Sequence, residues 1–242
     1  MSKSNPKLQN PCQKFIDIKS DKGQLVYWDK ENERQVEIPL PIHFIVLDEL
    51  STITGYNKKH DCGLYSNEVH NITSEILKVK TFKGGESVTG LYQDIKFEVN
   101  SLGGKYTKSV YAMLVQKGNT EMVNFKFKGA AFSAWLDKKI NTDQFIVAIT
   151  GFKDETNGNT DYKVPIFKAF KLTNELNKQA IEMDKILQVY LKEYKAQGSE
   201  KEIVKAEKEE IVKTEKEEVY IPETVYEENE SGIMQDVNDL PF

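Results

Sequence analysis

Between Phe15 and Lys171 apolar and polar residues alternate mainly with a period of two, the spacing of half-buried strands. Gln24–Lys30 (Gln-Leu-Val-Tyr-Trp-Asp-Lys) follows a turn at Asp21-Lys22-Gly23, and Phe15–Ile18 and Val36–Leu40 are shorter candidates. Ile42–Leu50 is nearly all apolar, as expected of a central buried strand. Strands are further predicted over Glu75–Lys83, Lys105–Gln116 and Glu121–Lys128, the last two joined as a hairpin by Lys117-Gly118-Asn119-Thr120. A second hairpin pairs Phe145–Lys153 with Tyr162–Lys171 across Asp154–Thr160. Helical spacing predicts two short helices, Leu91–Leu102 (ended by Gly103-Gly104) and Ala130–Ile140, and a longer one opening at Thr173.

In that longer helix Leu176, Ala180, Met183, Leu187, Tyr190 and Tyr194 recur at spacings of four and three, and Gly198 is the predicted stop. Such a stripe either packs on its own domain or pairs subunits in a homo-oligomer. Beyond it lies a tandem repeat, Glu202–Glu209 followed by Glu210–Glu217, whose eight-residue period suits neither a strand nor a helix face. From Tyr220 onward there is no Lys or Arg, and Pro222 and Gly232 interrupt any pattern. Residues 199–242 therefore read as a disordered acidic tether with a reach on the order of 35–40 Å. The predicted organisation is a β-rich domain over 1–172, an amphipathic helix over 173–198 and the tail over 199–242. Many strands with long connections and a few flanking helices predict a mainly β, α+β fold, an OB-like small β-barrel.

Charge sharpens this division. Residues 1–198 carry 28 Lys/Arg and 24 Asp/Glu, and residues 199–242 carry 5 and 14, so the formal net charge of −5 conceals a mildly basic body and a strongly acidic tail. The 11 Tyr, 12 Phe and 2 Trp suffice for a core with rings left over for a surface. No run approaches the roughly 18 apolar residues of a membrane span and no apolar signal region is found, so no membrane partner is expected. Two cysteines, Cys12 and Cys62, fit a reducing cytoplasm. Catalysis has little support: the chain has no P-loop, no G-x-S-x-G and no H-E-x-x-H, and none of His43, His60 and His70 sits in a nucleophile's arrangement. Asp48-Glu49 reads as a solvated acid pair at a strand end. Cys12, His60, Cys62 and His70 match no familiar zinc spacing, so no metal or cofactor is expected.

The polar faces of the strands carry the binding chemistry. In Glu121–Lys128, Val123, Phe125 and Phe127 form one face, and Asn124, Lys126 and Lys128 form a basic row on the other. In Glu75–Lys83, Lys78, Lys80 and Phe82 oppose Leu77 and Val79, with Lys83 following. Lysines in line with a ring suit a single strand, because the lysines track phosphates and the ring stacks on a base. Lys105, Tyr106, Lys108 and Tyr111 repeat the mixture, with Tyr106 and Lys108 on one side, and Trp28 and Tyr56 are further candidate rings. Taken singly, each of these residues also fits a solvated or core position.

The chain closes with Asp236-Val237-Asn238-Asp239-Leu240-Pro241-Phe242, spaced carboxylates followed by an apolar tip. A ring and an α-carboxylate on one residue suit an apolar pocket with a basic rim, Pro241 lowers the entropy lost on docking, and Asp236 and Asp239 add attraction. This ending resembles that of bacterial and phage single-stranded-DNA-binding proteins, and the resemblance covers these seven residues only. It implies a non-enzymatic protein that coats single-stranded DNA in replication or recombination and recruits replication and repair proteins through Asp236, Asp239, Leu240, Pro241 and Phe242. Two other readings remain: an adaptor that docks on a sliding clamp without binding DNA, and a regulator that binds single-stranded RNA.

Overall fold

The computed structural model describes residues 9–83, 87–116 and 119–217. Among them the chain runs β1 (Lys14–Lys19), β2 (Gln24–Asp29), β3 (Arg34–Ile38), β4 (Ile42–Asn57), β5 (Cys62–Ser66), β6 (Leu77–Thr81), β7 (Ser87–Gly90), α1 (Tyr92–Ser101), β8 (Gly104–Gln116), β9 (Asn119–Lys128), α2 (Ala130–Asp137), β10 (Phe145–Asn157), β11 (Thr160–Lys171) and α3 (Asn174–Glu217). The strands join in one sheet in the order β3-β2-β1-β9-β8-β4-β5-β6-β7, and β10 pairs with β11 and with the start of β4. β1 runs parallel to β9, while the neighbouring ladders are antiparallel. The protein is therefore mainly β, with a C-terminal helix.

The sheet curls, because residues far apart along that path share one core. Ile18 and Leu25 meet Phe44, Val110, Phe125, Phe127, Trp135 and Val147, with Phe152 and Phe167 packed against them. Lys163 N–H donates to Ser20 O at 2.7 Å, which brings β11 to the β1–β2 turn in a barrel-like arrangement. A second cluster (Ile53, Leu64, Val79, Ile95, Val99) lies between the far end of the sheet and α1. On the outer side, α3 lays Ala180, Leu187 and Leu191 against Leu50, Tyr111, Met122, Ile45, Met113 and Ile146. The helical stripe thus packs on its own domain. Leu176, Met183 and Tyr190 join it as expected, but Leu191 is buried and Tyr194 is exposed.

Thr173 opens α3 as predicted, its Oγ1 accepting the Leu176 N–H at 3.3 Å. The end differs. The helix passes through Gly198 and continues to Glu217, taking in the first half of the segment read as disordered. A glycine inside a helix costs only about 1 kcal/mol relative to alanine, and the repeat beyond is rich in Glu and Lys, both strong helix formers. The tip, residues 236–242, lies outside the described residues. β10 and β11 also extend further than expected, to a tight turn at Gly158 (φ +60°) in place of a seven-residue loop. β4 continues seven residues past Leu50, and β5 and β7 have no counterpart in the sequence reading. Among the described residues no helix is long and apolar enough to cross a membrane.

Candidate functional site

Alternation along three neighbouring strands builds a cluster of exposed rings. In β4, Ile53 turns to the core and Tyr56 outward; in β5, Leu64 turns inward and Tyr65 outward; in β6, Leu77 and Val79 turn inward and Lys80 outward. Register sets Thr54 opposite Tyr65, Tyr56 opposite Gly63, and Tyr65 opposite Lys80. Phe82, just beyond β6, is 71% exposed and lies tilted on Tyr65 with ring centroids 4.6 Å apart. A Cβ on Gly63 would stand 2.7 Å from the Phe82 ring, so only glycine lets that ring lie across β5. Tyr56 is 52% exposed and donates its hydroxyl to Asp61, whose carbonyl accepts from Lys83 Nζ at 3.1 Å. Three large rings left in solvent on one face contrast with the buried Phe44, Phe125 and Phe127.

The same face continues across β8, β9 and β1. Lys105 stands opposite Thr54, Lys128 opposite Thr107, Lys126 opposite Ser109, and Asp17 opposite Lys126. Together these strands line a groove of about 1400 Å³ that holds Tyr56, Tyr65, Phe82 and Tyr162. Its walls carry five lysines (Lys19, Lys58, Lys105, Lys126, Lys128) against two aspartates, Asp17 and Asp21. Part of its floor is bare backbone: a Cβ on Gly55 would sit 2.1 Å from the Gly103 carbonyl, so this close approach needs glycine on both segments. That packing accounts for Gly103-Gly104.

The lysines are not equivalent. Lys126 is held by Glu68 Oε1 at 2.7 Å and Ser109 Oγ at 2.9 Å, with Phe15's ring 5.8 Å away. Glu68 also accepts from Ser109 Oγ and Tyr111 OH, each at 2.6 Å, and Asn124 donates to Ser109 at 2.7 Å. Burial by itself would raise the Glu68 pKa, but the charge of Lys126 and the hydrogen bonds from Lys126, Ser109 and Tyr111 outweigh it and hold the carboxyl below its ordinary value. Burial, then the charge of Glu68, pushes the neighbouring Cys12 thiol up to about 12, which makes it unreactive. Lys128 pairs with Asp17 at 3.1 Å, and both are partly exposed. Lys105 and Lys58 are exposed and make no ion pair among the described residues.

Several expected site residues fall elsewhere. Tyr111 is only 2% exposed and donates its hydroxyl to Glu68, so it belongs to the buried network and not to a binding surface. Tyr106 and Lys108 stand on the opposite face from Lys105, as period two demands: Tyr106 bonds to Ser51 Oγ at 2.9 Å, and Lys108 lies 3.5 Å from Glu49. Trp28 is 58% exposed on β2, outside the groove lining. Lys78 is half-buried, while Lys80 is exposed beside Tyr65. Tyr65, Lys19, Lys58 and Tyr162 line the groove without having been expected there.

The acid pair is committed to the scaffold. Asp48 accepts from His70 Nε2 and Gln188 Nε2, each at 3.0 Å, and Glu49 accepts from Trp135 Nε1 at 3.2 Å. Among the described residues no three His, Cys, Asp or Glu side chains are placed to hold a metal ion. The chain matches no known family model, and neither a curated protein nor a solved structure matches it.

Proposed function

We propose that the groove binds single-stranded DNA and that the protein is a non-enzymatic strand-coating protein. The observation that carries this reading is the row Tyr56–Tyr65–Phe82, solvent-facing and continuous with Lys105 and Lys128 on one sheet face and with Lys58 in the turn after β4. Rings stack on unpaired bases whatever their identity, and lysines follow the phosphates, so the pairing favours single strands over duplex and gives little sequence preference. The curl is read as an OB-like barrel, whose face serves such strands in other proteins. The Asp236–Phe242 segment is read as the docking peptide for replication and repair proteins.

The test is fluorescence anisotropy of a labelled dT oligonucleotide titrated with the full chain, with duplex and RNA competitors. Tight binding that single-stranded DNA displaces best supports the reading. Preferential displacement by RNA would move the protein to RNA regulation, and no binding would leave a docking adaptor. Lys105→Ala should weaken binding uniformly across sequences and flatten the log–log salt dependence by about 0.7, the share of one phosphate. Residues 218–242 contain seven acids and no Lys or Arg. Removing them should strengthen DNA binding at low salt and change little at high salt, where a competing acidic segment is screened. Equal affinities at low salt would end that idea.

A further inference from the structure

A second cavity, shallow and widely open to solvent, of about 590 Å³, lies beside the junction of the two apolar clusters. Tyr92, which packs with the cluster under α1, and Phe132, which packs with the core inside the curl, both turn toward Tyr106. The ring centroids are 5.7 Å apart for Tyr92 and Tyr106 and 4.8 Å apart for Tyr106 and Phe132. All three rings are half-buried and leave a gap between α1 and α2 that neither core fills. Exposed Asn100 and Ser133 add amide and hydroxyl groups to this lining. The cavity is not isolated: Lys105 and Gly129 line both it and the long groove.

From this continuity we infer that the cavity is a nucleobase subsite. One base of the strand in the groove turns in beside Lys105 and seats against Tyr92, Tyr106 and Phe132, with its edge toward Asn100. This rests on the reading of the groove as a single-strand site. The chemistry fits the neighbouring parts. Lys105 is an exposed cation beside both cavities that makes no ion pair among the described residues, able to hold the phosphate at the point where the chain turns. Aromatic walls offer stacking and edge contacts without regard to sequence, whereas an amide supplies one donor and one acceptor side and so reads a base edge. The open row of Tyr56, Tyr65 and Phe82 would therefore bind any base, and this subsite alone would confer a preference at one nucleotide.

The test is photocrosslinking of the full chain to a dT oligonucleotide carrying 5-iododeoxyuridine, with the adducts mapped by peptide mass spectrometry, alongside binding titrations of Ser133→Trp. Ser133 is exposed, so a ring placed there fills the gap without entering either core. Adducts on Tyr92, Tyr106 or Phe132 that Ser133→Trp removes, while adducts on Tyr56, Tyr65 or Phe82 persist, are expected. A loss of affinity of about tenfold, the size of one stacked base, should accompany them. Adducts confined to the open row, or a Ser133→Trp protein that binds as tightly as the parent, overturn the subsite and leave the groove reading standing. Absence of oligonucleotide binding by the parent chain overturns both.

Discussion

Phe82→Ala should weaken binding of a dT oligonucleotide by roughly tenfold, and replacement of Tyr56, Tyr65 and Phe82 together should abolish measurable binding at moderate salt. Each stacked base contributes about 1–3 kcal/mol, and a factor of ten corresponds to about 1.4 kcal/mol. Fold stability should change little, because Phe82 is 71% exposed and Tyr56 52% exposed, so neither holds a core together. The effects of Phe82 and Tyr65 should not add, since their rings lie 4.6 Å apart and present a single stacking platform. A double-mutant cycle on this pair would show that coupling, with Tyr56→Ala, on the neighbouring strand, behaving more independently. Phe82→Leu distinguishes stacking from simple apolar contact: it keeps most of the buried surface but should recover little affinity. Thermal melting of each variant gives the control, and a Phe82→Ala protein that melts normally and binds normally would remove the ring row from the interface.

The basic and aromatic row was legible wherever its residues lay on long strands with strict alternation. Val123, Phe125 and Phe127 declare the core side of β9, and Lys126 and Lys128 then have to point the other way. Phe82 was legible for the same reason, standing in line with Lys78 and Lys80. Tyr65 was not, because β5 spans only five residues and offers one inward leucine between Gly63 and Tyr65, too short a pattern to separate strand from turn. Tyr111 was misread because the outer face of β8 is polar at Lys105 and Thr107 but is covered further along by α3, so one strand face changes environment midway. Period two assigns a side and cannot say what covers it. The pairing of Lys126 with Glu68 was likewise invisible, since it joins residues 58 positions apart. The helix end failed for a different reason: Gly198 is a local stop signal that the helix-forming segment beyond it overrides.

The buried network under the groove predicts a large loss of stability when it is broken. Glu68→Ala removes the carboxylate that receives Lys126, Ser109 and Tyr111, leaving a charged ammonium that is only 15% exposed without its partner. Breaking one side of a buried ion pair costs about 3–5 kcal/mol, here a fall of roughly 10 °C in melting temperature for a chain of this size. Glu68→Ala combined with Lys126→Met should recover much of that loss, because the orphaned charge is gone. The network should also show in the pH dependence. The folded-state pKa of Glu68 is lowered, so its contribution is complete above the ordinary carboxylate value of about 4.3 and is lost as pH falls through the lower folded value. The parent should therefore lose stability below about pH 4 more steeply than the double variant does, in melts taken at intervals from pH 6 to pH 3. This bears directly on function. Lys126 lies in the groove lining, yet it spends its charge on Glu68, so a Lys126→Ala protein would bind DNA poorly for want of a sound scaffold. Lys105, exposed and without an acidic partner among the described residues, is the residue whose removal reports on phosphate contact. If Lys126→Ala lowered affinity while leaving the melting temperature unchanged, the assignment of Lys126 to the scaffold would be wrong, and it would join Lys105 and Lys128 among the strand-binding cations.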